Sequence, residues 1–573
     1  MPPFFRRNAD VLFVVALASL MLLWNLGSPM LWSDEAITAI YSRNTLRHGW
    51  PRAFDGRNLS AYGGGTSVGS GDLGAWGYPL LQFYVTAASF GLFGATTWAA
   101  RFPHALLGVG TVALTFSVAL KLSGNRRAAF VAALALALSP QFLRFARNCR
   151  YFSLTVFLGM LWLLLYLRLP ERTWAWKRWF ALGRAESGTA ALTGALRTPG
   201  WAGAGLGLAT VLFFHAHYLV AGAFCAAAAA AILLVRRDVR RLPALAPVGA
   251  AAALLCAAWW AYAARLLGDA GGAPVEAPSG AAWTRLLWYL RDLNYTGMAP
   301  AGVLLALAAL WAAKRLRPAE KSASAFLLAL MAGHVLLLAL FSGEPVAEGT
   351  IDANIRYAAP LIPLASIVGA FAAAALMRWR KEAGAAFLAL WLGTNLLSFC
   401  PPRPPVHGPQ FRSFLGEFAL QTFRLRPVPP TSTEAAVAYL GERARQDDLV
   451  FVWPDYRRDP LMFYLGDRLL FCGILPEDDE RIVPNAEALG LPDYVHSGDV
   501  RPDWLVGFRL DPRGGRPDIF ARAQADPDLA GGDTRVLRVW WDDLSRPELT
   551  RNRAFPPEPE RPEEGVLIVE RRR

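Results

Sequence analysis

Two adjacent carboxylates, Asp34 and Glu35, stand a few residues beyond the first apolar run of the chain. Moving a group from a phosphate to a hydroxyl or an amine needs a base to take the acceptor's proton. A carboxylate bordering a medium of low dielectric constant can be tuned toward that work. The same two acids also read as the first turn of a helix capped by Ser33, where negative charge complements the helix dipole. Both readings can hold at once. Asp34 is the expected base and Glu35 its neighbour in the site.

Cations of the kind such chemistry needs lie elsewhere in the chain. Arg144, Arg147 and Arg150, followed by Tyr151, come just after Ser139-Pro140 at the expected outer end of an apolar run. Arginine's planar fork matches phosphate oxygens two at a time. Snorkelling to lipid headgroups is the plainer use of an arginine at that depth. Arg356 and Tyr357, with Pro360 and Pro363 behind them, open a later apolar run and add another outward cation. Arg147, Arg150, Arg356 and Tyr357 are therefore the expected phosphate-binding set. His215 and His217 fall at i and i+2, so they share no helix face and make a poor metal pair. They fit the wall of a cavity better, with Tyr151 and Arg144. Asp72, in a glycine-rich stretch, reads as a second acid or as a turn residue. The sequence holds no phosphate-cradling Gly-rich loop and no His/Cys metal spacing. Nucleotide-sugar chemistry, ATP chemistry and a bound divalent metal are therefore not expected.

The elements that must carry these residues are membrane helices. The 573 residues are 54% hydrophobic and only 18% charged, whereas soluble domains are about a quarter charged. Apolar runs fall near 11–27, 101–121, 126–143, 150–168, 201–215, 218–235, 244–265, 298–313, 324–341, 356–377 and 384–400. Each approaches the ~20 residues that cross a bilayer. The formal charge of +13 gathers in short gaps between these runs, as at 236–241, 314–317 and 378–381. That is the positive-inside pattern of a membrane protein, not a nucleic-acid surface. A further apolar stretch, 77–94, puts later basic clusters outside if it counts as a span and inside if it does not. The charge rule thus favours about eleven spans, or 12–13 on a looser count, with 77–94 lying in the interface or against the bundle. The expected fold is a polytopic α-helical membrane protein over residues 1–400, with a long first external loop at 28–100. A Pro-rich break at 401–405 introduces a C-terminal external α/β domain, 401–573. Within it a helix is expected at 433–446, strands at 448–453, 504–508, 536–540 and 566–569, and another helix from 460. This outer part is expected to be dispensable for folding of the membrane part.

In order and sidedness these residues resemble the GT-C glycosyltransferases, the superfamily of protein O-mannosyltransferases and lipid A aminoarabinose transferases. The resemblance rests on Trp32-Ser33-Asp34-Glu35-Ala36, on Ala146 through Tyr151, on His217-Tyr218, and on Arg356-Tyr357 with its trailing prolines. It covers about 400 residues. It implies an acidic catalytic base in the first external loop, here Asp34 with Glu35 assisting, and a dolichyl- or undecaprenyl-phosphate sugar as donor. It also implies a helix in the membrane plane within that loop. Where many relatives carry a basic residue and two prolines, this chain reads Trp76-Gly77-Tyr78-Pro79-Leu80, so that cation is missing or supplied elsewhere. The acidic metal ligands of the oligosaccharyltransferase branch have no counterpart in the 147–150 segment.

The expected activity is transfer of a hexosyl or pentosyl unit from a polyprenyl-phosphate donor to a lipid, glycan or protein acceptor. The setting is the outer face of the plasma (inner) membrane, with the N-terminus cytoplasmic. A transporter or flippase of lipid-linked or anionic substrates is the competing expectation, since outward arginines would serve it too.

Overall fold

The protein is represented by a computed structural model. It describes residues 3–60, 73–75, 77–169, 201–237, 249–259, 261–262, 282–342, 353–394, 396–398, 431–453, 457–472, 486, 489–496, 500–508, 533–537 and 566–570.

The larger part is a bundle of apolar helices. In chain order they are α1 (Pro3–Leu23), α2 (Ser33–His48), α3 (Leu81–Phe93), α4 (Thr97–Ser123), α5 (Arg126–Ala137), α6 (Pro140–Ala146) and α7 (Tyr151–Arg168). Then come α8 (Trp201–Ala216), α9 (Tyr218–Ala231), α10 (Gly249–Trp259), α11 (Ala282–Tyr295), α12 (Ala301–Ala312), α13 (Pro318–Phe341), α14 (Leu361–Trp379) and α15 (Lys381–Gly393). One continuous apolar core joins α1 to α14, with α14 buried along nearly its whole length. Gly108 lets α4 approach α1 and α6, because a Cβ there would meet Ala146 Cβ at 2.7 Å and Leu22 at 3.0 Å.

Every expected span has a helix at its place, but the lengths single out fewer crossings. Among the described residues, the helices long and apolar enough to cross alone are α4, α7, α9 with its continuation to Arg236, α13 and α14. The pair α5–α6, bent by 64°, adds a broken one. The expected count of eleven is thus not fixed by helix length. Residues 77–94 hold the 13-residue α3, which at ~1.5 Å per residue is too short for ~30 Å of hydrocarbon. It lies against the bundle, burying Gln82, Phe83, Thr86 and Phe90 toward α2 and α4.

The two ends of the bundle differ in chemistry. At one end Arg378 pairs with buried Glu320, which also accepts from Asn125 and from the Arg317 backbone. Arg126 pairs with Asp10 beside them. Asp34 and the arginines near it occupy the other end.

The smaller part is a five-stranded sheet with order β2-β1-β3-β5-β4. Its strands are β1 (Leu449–Trp453), β2 (Leu470–Phe471), β3 (Trp504–Phe508), β4 (Asp533–Leu537) and β5 (Val566–Glu570). β2, β1 and β3 are parallel, while β5 runs antiparallel to β3 and β4. Helices α16 (Ser432–Arg443) and α17 (Arg458–Leu465) pack beside it. The strand expected at 536–540 lies a few residues earlier, and its end falls outside the described residues.

This sheet is not a separate appendage. Its core continues into the first loop, where Leu31, Ala36, Ile40, Phe90 and Ala100 pack with Leu440, Leu461, Phe463 and Trp504. Polar contacts reinforce the join. The Asn58 side-chain amide donates to the Gly466 and Leu469 carbonyls at 3.0 and 3.1 Å and accepts from Phe471 N at 2.8 Å. Ser60 donates to Asp459 at 2.7 Å. The Tyr464 hydroxyl accepts from Leu31 N at 2.8 Å and shares a 2.7 Å bond with Thr97. Burial pushes the Tyr464 phenol up from its ordinary pKa, so it stays protonated. The outer part packs directly on the membrane part, with α2 in contact with both α3 and α17.

Candidate active site

Asp34 sits in the first turn of α2 and is 7% exposed. The helix begins differently from the expectation. Trp32, in extended conformation, is the cap residue and makes no side-chain cap bond, while Ser33 is already helical. The dipole argument survives, since both acids lie in the first turn.

Two arginines from distant segments meet on one oxygen. Arg150, the extended residue before α7, donates from Nη2 to Asp34 Oδ2 at 3.2 Å. Arg356, in a 3-10 turn ahead of α14, donates to the same Oδ2 at 3.2 Å. Nη1 of Arg150 also reaches the Asp34 carbonyl and Thr38 Oγ1, at 3.3 and 3.2 Å. No described residue donates to Asp34 Oδ1. The carboxylate therefore has one oxygen bound by cations and one open to a ligand.

Aromatic rings wall this site. The His217 ring lies 4.4 Å from Tyr151 and 4.8 Å from Tyr357, centroid to centroid. The Arg150 and Arg356 guanidinium groups each sit 5.5 Å from a ring, that of Tyr151 and of Tyr357. The Tyr151 hydroxyl is buried without a hydrogen-bond partner among the described residues. An unspent donor beside two cations is suited to an anionic or hydroxylated ligand. His334 of α13 contacts the Tyr357 carbonyl at 3.2 Å and so fixes the Arg356 turn.

Four expected members of the site are placed otherwise. Glu35 is fully buried and forked onto Arg101 at 2.9 and 2.6 Å, and its Oε1 also accepts from Cys149 N at 2.7 Å. Both its oxygens are engaged, by Arg101 and by Cys149 N, so the fully buried carboxylate holds the 148–150 turn in place. Arg147 donates to the carbonyls of Met21, Leu22, Trp24 and Asn25 at 2.8–3.2 Å. It satisfies carbonyls left open where α1 ends, a use favoured by the helix dipole. His215 packs on Trp259, centroids 5.1 Å apart, instead of joining His217. Arg144 is half-buried in α6 and forms no bond with Asp34. Asp72 and Trp76 lie outside the described residues.

Residues 78–193 match the family described as dolichyl-phosphate-mannose-protein mannosyltransferase. Among curated proteins none matches in sequence. Among solved structures the chain is similar to ArnT from Cupriavidus metallidurans in the apo state, with TM-score 0.52 and 16% identity over 99% of this chain and 98% of that one. It is similar also to the same enzyme bound to undecaprenyl phosphate, with TM-score 0.51 and 15% identity over 98% and 97% of the two chains. The chain has the GT-C fold.

Within the GT-C fold the charged network behind Asp34 includes a residue that sequence reasoning overlooked. Arg101 opens an apolar run, where a charge is costly unless it has a partner. It donates to the carbonyls of Leu26, Pro29 and Met30, at 2.7–3.4 Å, as well as to Glu35. It thus ties the loop after α1 to α2 and to the turn carrying Arg150. Its position at the head of a span was the available signal. His104, bonded to Thr86 and Ser153 at 3.0 Å each, had no comparable one. Among the described residues no group of three His, Cys, Asp or Glu side chains could hold a metal.

Proposed function

We propose that this chain is a membrane glycosyltransferase that takes a sugar from a polyprenyl-phosphate donor, with Asp34 as general base and Arg150 and Arg356 holding the phosphate. The observation that carries the reading is the convergence of both arginines on Asp34 Oδ2 at 3.2 Å. One compact site then contains a base and two cations, the two things the reaction needs.

The steps balance without a cofactor. An acceptor hydroxyl or amine attacks the anomeric carbon and the bond to the phosphate oxygen breaks. The electron pair leaves with the lipid phosphate, and the acceptor's proton passes to Asp34 Oδ1. Charge on the phosphate grows as the bond breaks, so preorganised guanidinium groups act most strongly in the transition state. The ArnT structure bound to undecaprenyl phosphate supports the donor class. The outer face of the plasma membrane fits the opposition between the basic end of the bundle and the Asp34 end.

Purified full-length Asp34→Asn supplies the test. It should bind undecaprenyl phosphate as tightly as wild type or better, because a competitor for the guanidinium groups is lost. Transfer from an undecaprenyl-phosphate sugar, scored by the glycans missing in a deletion strain, should fall by about 10²–10⁴. Normal transfer by the variant refutes the assignment of the base. Absence of phosphate-lipid binding by wild type refutes the donor class.

A further inference from the structure

Behind the turn that carries Arg150 stands a buried polar side chain to which the reaction itself gives no part. His104 of α4 is 0% exposed. Its Nδ1 bonds to Ser153 Oγ in the first turn of α7, and its Nε2 to Thr86 Oγ1 of α3, at 3.0 Å each. A hydroxyl can donate or accept, so either tautomer of the ring is satisfied on both sides. The backbone of Arg150 lies beside the same ring. Thr86 Oγ1 also contacts Cys149 Sγ at 3.5 Å. One buried ring thus joins α3, α4 and the start of α7.

His104 follows Arg101 by three residues, so both project from one face of α4. Arg101 holds Glu35, whose Oε1 accepts from Cys149 N at 2.7 Å. His104 holds Ser153. The 149–153 segment is therefore fastened at each end by a side chain of α4. Between the two fixings Arg150 reaches Asp34 Oδ2 at 3.2 Å, and Tyr151 lies against His217. The start of α7 needs such support. Arg150 is its cap residue and makes no side-chain cap bond, so the helix end lacks the usual local restraint.

We propose, on the reading of Arg150 as a ligand of the donor's phosphate, that His104 is the positioning residue for Arg150. It holds the first turn of α7 so that the guanidinium group meets the phosphate oxygens. A forked, two-point contact is sensitive to small displacements, and a binding side chain needs supporting bonds to stay within them.

The test reads phosphate binding and is independent of transfer. Full-length variants in nanodiscs are titrated with undecaprenyl phosphate, and melting temperatures are recorded beside the affinities. His104→Leu removes both bonds and should weaken binding about tenfold, the scale of one lost hydrogen bond at a buried site. The amide of His104→Asn reaches the place of Nδ1, and that of His104→Gln the place of Nε2. Asn should therefore restore most of the affinity through Ser153, and Gln should not. Ser153→Ala should repeat the loss, and it gives the same reading if His104→Leu does not fold. The deciding measurement is made in Arg150→Met, which retains Arg356 for weaker binding. There His104→Leu should cost no further affinity, because its effect passes through Arg150. A lower melting temperature with unchanged affinity overturns the proposal, as does an equal loss with and without Arg150, or rescue by Gln alone. Binding by Arg150→Met as tight as wild type overturns the phosphate reading itself, and the role of His104 with it.

Discussion

Asp34 illustrates how one side chain can serve two partners. Its Oδ2 holds Arg150 and Arg356, while no described residue donates to Oδ1, the oxygen proposed to take the acceptor's proton. Lysine in place of Arg356 keeps the charge but loses the fork. Arg356→Lys should therefore raise the donor KM by about 10- to 100-fold, the worth of one charge-assisted hydrogen bond at roughly 1.5–3 kcal/mol. Initial rates against donor concentration check this. Arg147→Lys should leave donor KM near wild type, because Arg147 is occupied with the carbonyls at the end of α1. Its effect should appear as a lower melting temperature. A matching rise in donor KM for both variants would return Arg147 to the phosphate site.

At the level of elements, the Glu35–Arg101 pair fastens α2, α4, the loop after α1 and the turn before α7 into one frame. Both side chains are buried, at 0% and 6% exposure. Breaking such a pair from one side leaves an unpaired charge and costs about 3–5 kcal/mol, whereas removing both charges costs much less. Glu35→Leu and Arg101→Met should each lower the thermal midpoint sharply, and the double variant should recover part of the loss. Differential scanning of the detergent-purified variants decides it. Additive losses would mean that the pair is not the unit of stability.

For the whole molecule, the sheet and the first loop share one apolar core. Truncation after residue 430 would uncover Leu31, Ile40 and Phe90, which now pack against α17 and the sheet. The truncated protein should aggregate on extraction. Asn58→Ala should loosen the same join without deleting it, since Asn58 is fully buried and makes three bonds to the 466–471 backbone. Limited proteolysis should then release the C-terminal part faster than in wild type. Sidedness is tested by single cysteines in a Cys-free background. Gln446→Cys and Lys381→Cys, both exposed, should label from opposite faces of the membrane, because Lys381 follows the basic end of α14 while the neighbour of Gln446, Asp447, pairs with Arg57 of the first loop. Labelling from one face would invert the topology.

Some of this was written in the sequence because its causes are local or repetitive. Apolar runs declare membrane helices by length alone, and basic gaps sort the two ends. Strands β1, β3 and β5 were legible from short apolar runs between turn residues, and α16 and α17 from their local pattern. Asp34, Arg150 and Arg356 stood out because charges at span ends are costly without a purpose. Only the tertiary structure decided which of them meet. α2 gave no apolar period to read: its sequence is polar, yet 13 of its 16 residues are buried, because α3 covers one side and α17 the other. The same burial commits Glu35 to Arg101, turns Arg147 toward the end of α1 and separates His215 from His217. A carboxylate's neighbours in the chain are fixed by covalent bonds. Its partners are fixed by which helices pack, and those contacts join residues from 66 positions apart, as in Glu35–Arg101, to 322, as in Asp34–Arg356.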